Sequence, residues 1–356
     1  MKKYLLILSV FLAVSNYGTA QSVKSLLSLD NYHIPVDQRG ALIAKVVSSD
    51  NSEIKLAKDT SGLFLIDKQG YIRLKDDKVL TAKSPMRYEI ELKIGKEKKT
   101  FELVKDDFIR NGVIAHRGAW KHADVSQNSL GALKRAIELG CAGSELDIWL
   151  SADNKIILSH DLILSNMNVG NTTLEVLKTI QLKGGETVPT LDEYIACAKK
   201  QNKTRLIVEL KSYGKEKQGK EDDSQTIEAR LMRTMALTDS VVQSVHRQKA
   251  QAWVEYISFD YDVVLRLRQL DPTVKISYLE NNKKIEDLKA ADISGIDYEH
   301  TSFYHNPQWI KDAQSLGLTT NGWTVNKKEQ MQFLLGLGID YITTDEPELL
   351  LDILKK

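Results

Sequence analysis

Four apolar runs of this chain end in, or are interrupted by, side chains that can do chemistry. Val113-Ile114-Ala115 leads into His116-Arg117, and Glu145 and Asp147 sit two apart in Glu145-Leu146-Asp147-Ile148. Ile156-Ile157-Leu158 leads to His160-Asp161, and Glu209 and Lys211 flank Leu210 at the end of a fourth run that starts at Leu206. Three carboxylates brought to one spot offer the oxygen ligands a hard divalent cation needs, Ca2+ or Mg2+. Arg117 and Lys211 add cations suited to phosphate oxygens, and His116 and His160 titrate near neutrality, as an acid–base pair must. Taken singly, each group has a plainer reading. A lone His closing a strand is commonly structural, Glu and Asp at i, i+2 commonly line a solvated face, and Glu209 with Lys211 commonly form a surface ion pair. Glu209 weighs against these readings, because it interrupts an apolar run where an unpaired carboxylate is costly to bury unless a cation relieves it.

The elements that must position these groups follow from the rhythm of the chain after Asn111-Gly112. Strand-like runs at 113–115, 145–148, 156–158, 206–210, 256–259, 274–277, 295–298, 322–325 and 341–344 alternate with amphipathic stretches such as Ser129 to Leu139, Tyr261 to Leu270, Pro307 to Leu316 and Lys327 to Leu337. Repeated strand–helix units over 113–356 predict one (β/α)8 barrel, whose reactive side chains gather at the C-terminal ends of its strands. Nine strand candidates for eight places leave one irregular. The spacing selects 145–161, where Ser151 to Lys155 is too short for a parallel crossover and predicts a hairpin. A turn centred between Asp153 and Asn154 pairs Asp147 with His160. Glu145 and Asp147 share one face of their strand because side chains alternate.

Residues 22–108 have a different texture, with short alternating runs at Ala41 to Val47, Leu63 to Ile66, Tyr71 to Leu74 and Tyr88 to Ile94 separated by turn residues. They predict a small all-β sandwich, weakly similar to a cadherin-like module but without its acidic calcium-binding signatures. Ahead of it, Met1-Lys2-Lys3, an apolar run from Tyr4 to Val14 and Gly18-Thr19-Ala20 form a signal-peptide pattern over residues 1–20. The expected location is therefore exported, periplasmic or secreted. Export raises the question of whether Cys141 and Cys197 pair; their surroundings favour two small buried residues.

The chain has 356 residues, with 49 Lys+Arg against 48 Asp+Glu and a formal charge of +1. Removing residues 1–20, which hold two Lys and no acid, takes that charge from +1 to −1. This balance excludes a polyanion-coating protein and gives no basis for nucleic-acid binding. The 42% hydrophobic and 27% charged content excludes disorder and a polytopic membrane protein. The expected partner is a small molecule, with no stable membrane insertion, and the sandwich is expected to contact a surface partner or to pack on the barrel.

The ordered set Ile114-Ala115-His116-Arg117-Gly118, Gln127-Asn128-Ser129, Glu145-Leu146-Asp147, His160-Asp161, Val188-Pro189-Thr190-Leu191, Glu209-Leu210-Lys211, Ser258-Phe259, Gly322-Trp323-Thr324-Val325-Asn326 and Gly338 to Pro347 closely resembles the glycerophosphodiester phosphodiesterase family over 113–356. The resemblance implies a metal-dependent enzyme on a (β/α)8 barrel of the phospholipase C-like phosphodiesterase type. It would hydrolyse glycerophosphodiesters to an alcohol and glycerol phosphate in phospholipid and glycerol metabolism. On that reading Glu145, Asp147 and Glu209 hold one divalent cation, His116 and His160 are the catalytic acid and base, and Arg117 and Lys211 contact the phosphate. Trp323 lines the pocket beside the non-reacting part of the substrate. Gln127 stands where the family usually has the Glu of Pro-Glu-Asn-Thr, which removes a negative charge and bears on recognition of the alcohol. Which His is acid and which base stays open, as does whether water or a glycerol hydroxyl attacks. The alternatives are a same-fold phosphodiesterase for inositol or sphingolipid headgroups, a non-catalytic binding protein, and a glycosidase using Glu145 and Asp147. The mixed-charge insert Lys215 to Asp223 reads as a solvated loop or a lid, and His300 and His305 border a pocket-side loop.

Overall fold

The computed structural model describes residues 27–49, 52–213 and 227–355. The signal-peptide reading of residues 1–20 and the insert Lys215 to Asp223 lie outside the described residues.

Among the described residues, the N-terminal part forms β1 (Leu27–Leu29), β2 (His33–Ile34), β3 (Leu42–Ser48), β4 (Ile54–Asp59), β5 (Phe64–Ile66), β6 (Tyr71–Leu74), β7 (Arg87–Ile94) and β8 (Glu97–Lys105). They build two four-stranded sheets, ordered β1-β3-β6-β5 and β2-β8-β7-β4. Alternation decides which faces meet: along β7, Tyr88, Ile90, Leu92 and Ile94 are buried while Arg87, Glu89 and Lys93 are exposed. Phe64 of one sheet meets Tyr88 of the other edge-on, ring centroids 5.7 Å apart. β4 and β8 carry too many charges to be read as strands from sequence. They form because β7 offers each an antiparallel partner, broken on β4 by a bulge between Leu56 and Lys58, and β8 turns back on β7 through Gly95-Lys96, pairing Ile94 with Glu97.

The rest is β9 (Val113–Ala115), α1 (Leu130–Leu139), β10 (Gly143–Leu150), β11 (Ile156–Leu158), β12 (Ile163–Leu164), β13 (Met167–Asn168), α2 (Leu174–Leu177), α3 (Leu191–Ala198), β14 (Arg205–Leu210), α4 (Ile227–Arg247), β15 (Val254–Ser258), α5 (Tyr261–Leu270), β16 (Ile276–Tyr278), α6 (Ile285–Ala290), β17 (Gly295–Glu299), α7 (Thr301–His305), α8 (Gln308–Ser315), β18 (Thr319–Trp323), α9 (Lys328–Gly336), β19 (Tyr341–Thr344) and α10 (Pro347–Leu354). Eight parallel strands in the order β9-β10-β14-β15-β16-β17-β18-β19 close when β19 pairs with β9, so the expected (β/α)8 barrel is present. β11 is the ninth, irregular strand, antiparallel to β10 outside the barrel wall.

Every residue of β10 is buried, as expected for a parallel strand covered on both faces. Its Leu146 and Ile148 each contribute about 1.5–3 kcal/mol by burial. Glu145 and Asp147 alternate with them, so packing on one face holds the carboxylates on the other. The hairpin register departs from expectation by one residue: β10 pairs Ile148 with Leu158 and Leu150 with Ile156, and Ser159 N–H, not that of His160, donates to Asp147 O. The turn is centred on Asp153, with Asn154 left-handed at φ 58° and Ser151 N–H donating to Lys155 O at 2.8 Å. A three-residue loop ending in a left-handed residue is a common hairpin closure.

The sheets of the N-terminal part meet the barrel at segments that precede β14 and β15, opposite the C-terminal strand ends. His33 Nε2–H donates to Ala252 O at 2.8 Å, and Asn202 Nδ2–H donates to Lys105 O at 2.7 Å. Lys199 pairs with Glu102, and the Phe108 ring meets His33 edge-on at 4.9 Å and the Arg205 guanidinium at 4.7 Å from its centroid. Cys141 and Cys197 are both free thiols. No helix among the described residues is long and apolar enough to cross a membrane.

Candidate active site

At the end of β9 the chain turns through two consecutive left-handed residues, Arg117 at φ 57° and Gly118 at φ 80°. A side chain at 118 would put its Cβ 2.6 Å from Ala132 of α1, so only Gly permits this approach. The turn aims the Arg117 backbone N–H at Glu145 Oε2, 2.8 Å away. Asn128, left-handed at φ 55° and directly before Ser129, the N-cap of α1, donates from Nδ2 to Asp147 Oδ2 at 2.8 Å and accepts at Oδ1 from Asp147 N–H at 3.1 Å.

Ligand oxygens of Glu145, Asp147 and Glu209 lie within 4.8 Å of one another, all three residues buried. Lys211 Nζ bridges two of them, 2.8 Å from Asp147 Oδ1 and 2.7 Å from Glu209 Oε1. Arg117 Nε lies 3.6 Å from Asp147 Oδ2. Burial opposes ionisation of all three acids, and their surroundings then separate them. Lys211, His160 and Arg117 overcome the burial of Asp147 and hold it well below the usual carboxylate range. Burial, with the charges of Asp147 and Glu209, drives Glu145 well above that range. Burial raises Glu209 to about 7 despite Lys211. Glu145 Oε1 has no hydrogen-bond partner. A buried carboxylate oxygen left unpartnered amid three oxygen donors matches what a hard divalent cation takes.

The two histidines stand differently. His116 Nδ1 is 2.7 Å from Asp345 Oδ1, both side chains largely enclosed. His160 Nδ1 is 2.7 Å from Asp161 Oδ1, a carboxylate that is 73% exposed. Burial lowers the His160 pKa, helped by the Lys211 and Arg117 charges and opposed by Asp147 and Asp161. His160 therefore feels the Asp147 charge although it is not Asp147's ladder partner.

Gln127 Oε1 accepts from Arg117 Nη1 at 2.9 Å, which places it against the guanidinium. Trp323, at the end of β18, donates from Nε1 to Asp297 O at 2.9 Å and meets Phe259 edge-on at 5.4 Å. His300 N–H donates to Trp323 O, and His300 Nε2 lies 3.2 Å from Gln330 Nε2, so this histidine braces the strand end. Of the seven polar residues singled out in sequence, His116 and Arg117 thus follow β9, Glu145 and Asp147 lie within β10, Glu209 and Lys211 are at the end of β14 and just past it, and His160 follows β11. Asn128, Asn326 and Asp345 had no assigned role in the sequence reading. Their presence in Gln127-Asn128-Ser129, Gly322 to Asn326 and Gly338 to Pro347 was the available signal. The acids form one buried cluster with ligand oxygens within 4.8 Å of one another, and Glu145 and Asp147 point to the same side of β10, so the geometry gives a glycosidase pair no support.

The family model for the glycerophosphoryl diester phosphodiesterase family matches residues 116–349. A crystal structure of a glycerophosphodiester phosphodiesterase from Parabacteroides distasonis is 38% identical, covers 68% of this chain and 96% of that chain, and superposes with a TM-score of 0.62. A glycerophosphodiester phosphodiesterase from Caldanaerobacter subterraneus subsp. tengcongensis is 27% identical over 259 residues, 68% of this chain and 98% of the relative. An Oleispira antarctica phosphodiesterase, solved in complex with the product sn-glycerol-3-phosphate, shares the fold at 22% identity and a TM-score of 0.55, covering 68% of this chain and 96% of that chain.

Proposed function

The chain belongs to the glycerophosphoryl diester phosphodiesterase family, and from that premise we propose that its barrel hydrolyses a glycerophosphodiester to an alcohol and glycerol phosphate, with one divalent cation held by Glu145, Asp147 and Glu209. The observation that carries the reading is the meeting of three buried carboxylates with Lys211 and Arg117, with His116 just after β9 and His160 just after β11. The product complex of the Oleispira antarctica relative and the names of the other relatives support the same substrate class.

Glu145, Asp147 and Glu209 would hold a Ca2+ or Mg2+, which would supply Lewis-acid polarisation of a phosphoryl oxygen. Arg117 and Lys211 place fixed positive charge against the remaining phosphoryl oxygens, where negative charge grows in the transition state. One histidine accepts the proton of the attacking hydroxyl as its oxygen bonds to phosphorus, and the other protonates the leaving alkoxide as the P–O bond breaks. Trp323 lines the pocket beside the part of the substrate that does not react, and Gln127, accepting from Arg117 Nη1, orients the guanidinium toward the phosphate. The proposed setting is turnover of phospholipid-derived diesters by an exported, periplasmic or secreted protein.

A panel of glycerophosphodiesters, an inositol phosphodiester and a sphingolipid diester, assayed with Ca2+, with Mg2+ and with chelator, tests this reading. Glycerol phosphate release with one cation, none with chelator, and loss of the cation-dependent release in Glu145→Gln are expected. Undiminished rates in chelator would remove the metal from the proposal. Cleavage of the inositol or sphingolipid diester alone would replace the substrate class.

A further inference from the structure

We propose that Asp345, itself clamped by Asn326, is the positioning residue that holds the ring proton of His116 on Nδ1, so that all proton exchange with substrate occurs at Nε2. The inference rests on the reading of this site as a phosphodiesterase centre and adds to it which ring nitrogen of His116 reacts, and why.

The arrangement begins in the closure of the barrel. β19 and β9 pair in parallel, Thr344 against Ala115, and His116 N–H donates to Thr344 O at 2.9 Å. The next residue on each strand is therefore His116 on one and Asp345 on the other. Asp345 Oδ1 lies 2.7 Å from His116 Nδ1, and Asp345 Oδ2 accepts from Asn326 Nδ2 at 2.7 Å. Asn326 cannot turn over to offer its oxygen instead, because Asn326 Oδ1 accepts from Asp345 N–H at 2.9 Å and from Thr344 Oγ1–H at 3.2 Å. Thr344 Oγ1 in turn accepts from Glu346 N–H at 2.9 Å.

Donors and acceptors can then be assigned one by one. The Asn326 oxygen is committed to two donors, so its amide nitrogen must face Asp345. Asp345 meets an N–H on one oxygen, and its carboxylate, kept ionised by the His116 contact with help from Asn326 against the effect of burial, has only acceptor capacity on the other. Nδ1 of His116 must therefore bear the hydrogen, and Nε2 is left as the position that gains or loses a proton. His160 lacks such a clamp, because its carboxylate partner is its own neighbour Asp161 and is exposed to water. A carboxylate that sets the tautomer and direction of an imidazole without touching substrate is a recurrent device in acid–base catalysis.

Asp345→Asn tests the assignment with a readout that fold integrity alone does not move. Asn326 would still present its amide N–H, so the new side chain would turn its oxygen toward Asn326 and its NH2 toward His116, which forces the ring proton to Nε2. Histidine-labelled full-length protein, read by nitrogen–proton correlation NMR at neutral or higher pH, should show His116 protonated at Nδ1 in the wild type and at Nε2 in Asp345→Asn. The variant should lose about 10^3–10^4-fold in kcat with KM little changed. Asn326→Ala keeps Asp345 and should lose about 10–100-fold. It also serves as the test variant should Asp345→Asn fold poorly. A wild-type His116 carrying its proton on Nε2, or an Asp345→Asn protein with unaltered tautomer and kcat, overturns the proposal. If the wild type cleaves no diester, the functional reading fails while the NMR assignment still stands or falls by itself.

Discussion

Lys211 lies 2.8 Å from Asp147 as a buried ion pair and reaches Glu209 with the same ammonium, so one side chain supplies positive charge to two of the three clustered carboxylates. Truncating it to Lys211→Met leaves those acids buried without that partner, a change that typically costs about 3–5 kcal/mol. Urea denaturation in chelator should show that loss. Millimolar Ca2+ or Mg2+ should restore more stability to the variant than it adds to the wild type, by binding the folded state alone. Equal midpoints for the two proteins in chelator would show that Lys211 is not the stabilising cation of the cluster.

Asp297 lines a cavity of about 30 Å³ inside the barrel, and its Oδ1 has no hydrogen-bond partner. Burial raises it to about 7, an Asn321 hydrogen bond opposing and the Glu209 charge adding. For an acid raised in the folded state, the stabilising contribution is complete below the unfolded value near 3.8 and is lost as pH rises through about 7. Asp297→Asn should therefore be more stable than the wild type at pH 8, by on the order of 3 kcal/mol, and lose the advantage at pH 4. Parallel stability curves across that range would refute it.

His33 joins the N-terminal sheets to the barrel. Burial lowers its pKa, with Arg205 and Lys275 adding and the Ala252 carbonyl and Asp106 opposing; the Phe108 ring packs against it. Because the folded value lies below 6.5, its contribution is complete above 6.5 and is lost as pH falls through the folded value. His33→Gln removes the titrating group, so the stability difference between pH 8 and pH 5 should shrink relative to the wild type. An unchanged difference in denaturation midpoints would place that acid sensitivity elsewhere.

Much of this protein is legible in one dimension. Strand–helix alternation after residue 112 marks the barrel, since period-2 and period-3.6 patterns are local. Even the surplus ninth strand is marked by the shortness of Ser151 to Lys155. The shared face of Glu145 and Asp147 follows from strand parity. Where the reading slipped, the deciding forces were not local. The hairpin register turned on the left-handed Asn154, and the charged β4 and β8 became strands because β7 was there to pair with them.

The amino-acid sequence by itself determined the chemistry available: three carboxylates for a cation, two cations for a phosphate, and two imidazoles, each placed at or near the end of an apolar run. Only the tertiary structure decided which atom serves which. Asn128 grips Asp147 at two points, Lys211 spans Asp147 and Glu209, and Asp345 meets His116 across 229 positions of chain. These bonds form because the barrel sets β10 beside β9 and β14 and, on closing, β19 beside β9, and hydrogen-bond direction is settled only when donor and acceptor are held a few ångströms apart.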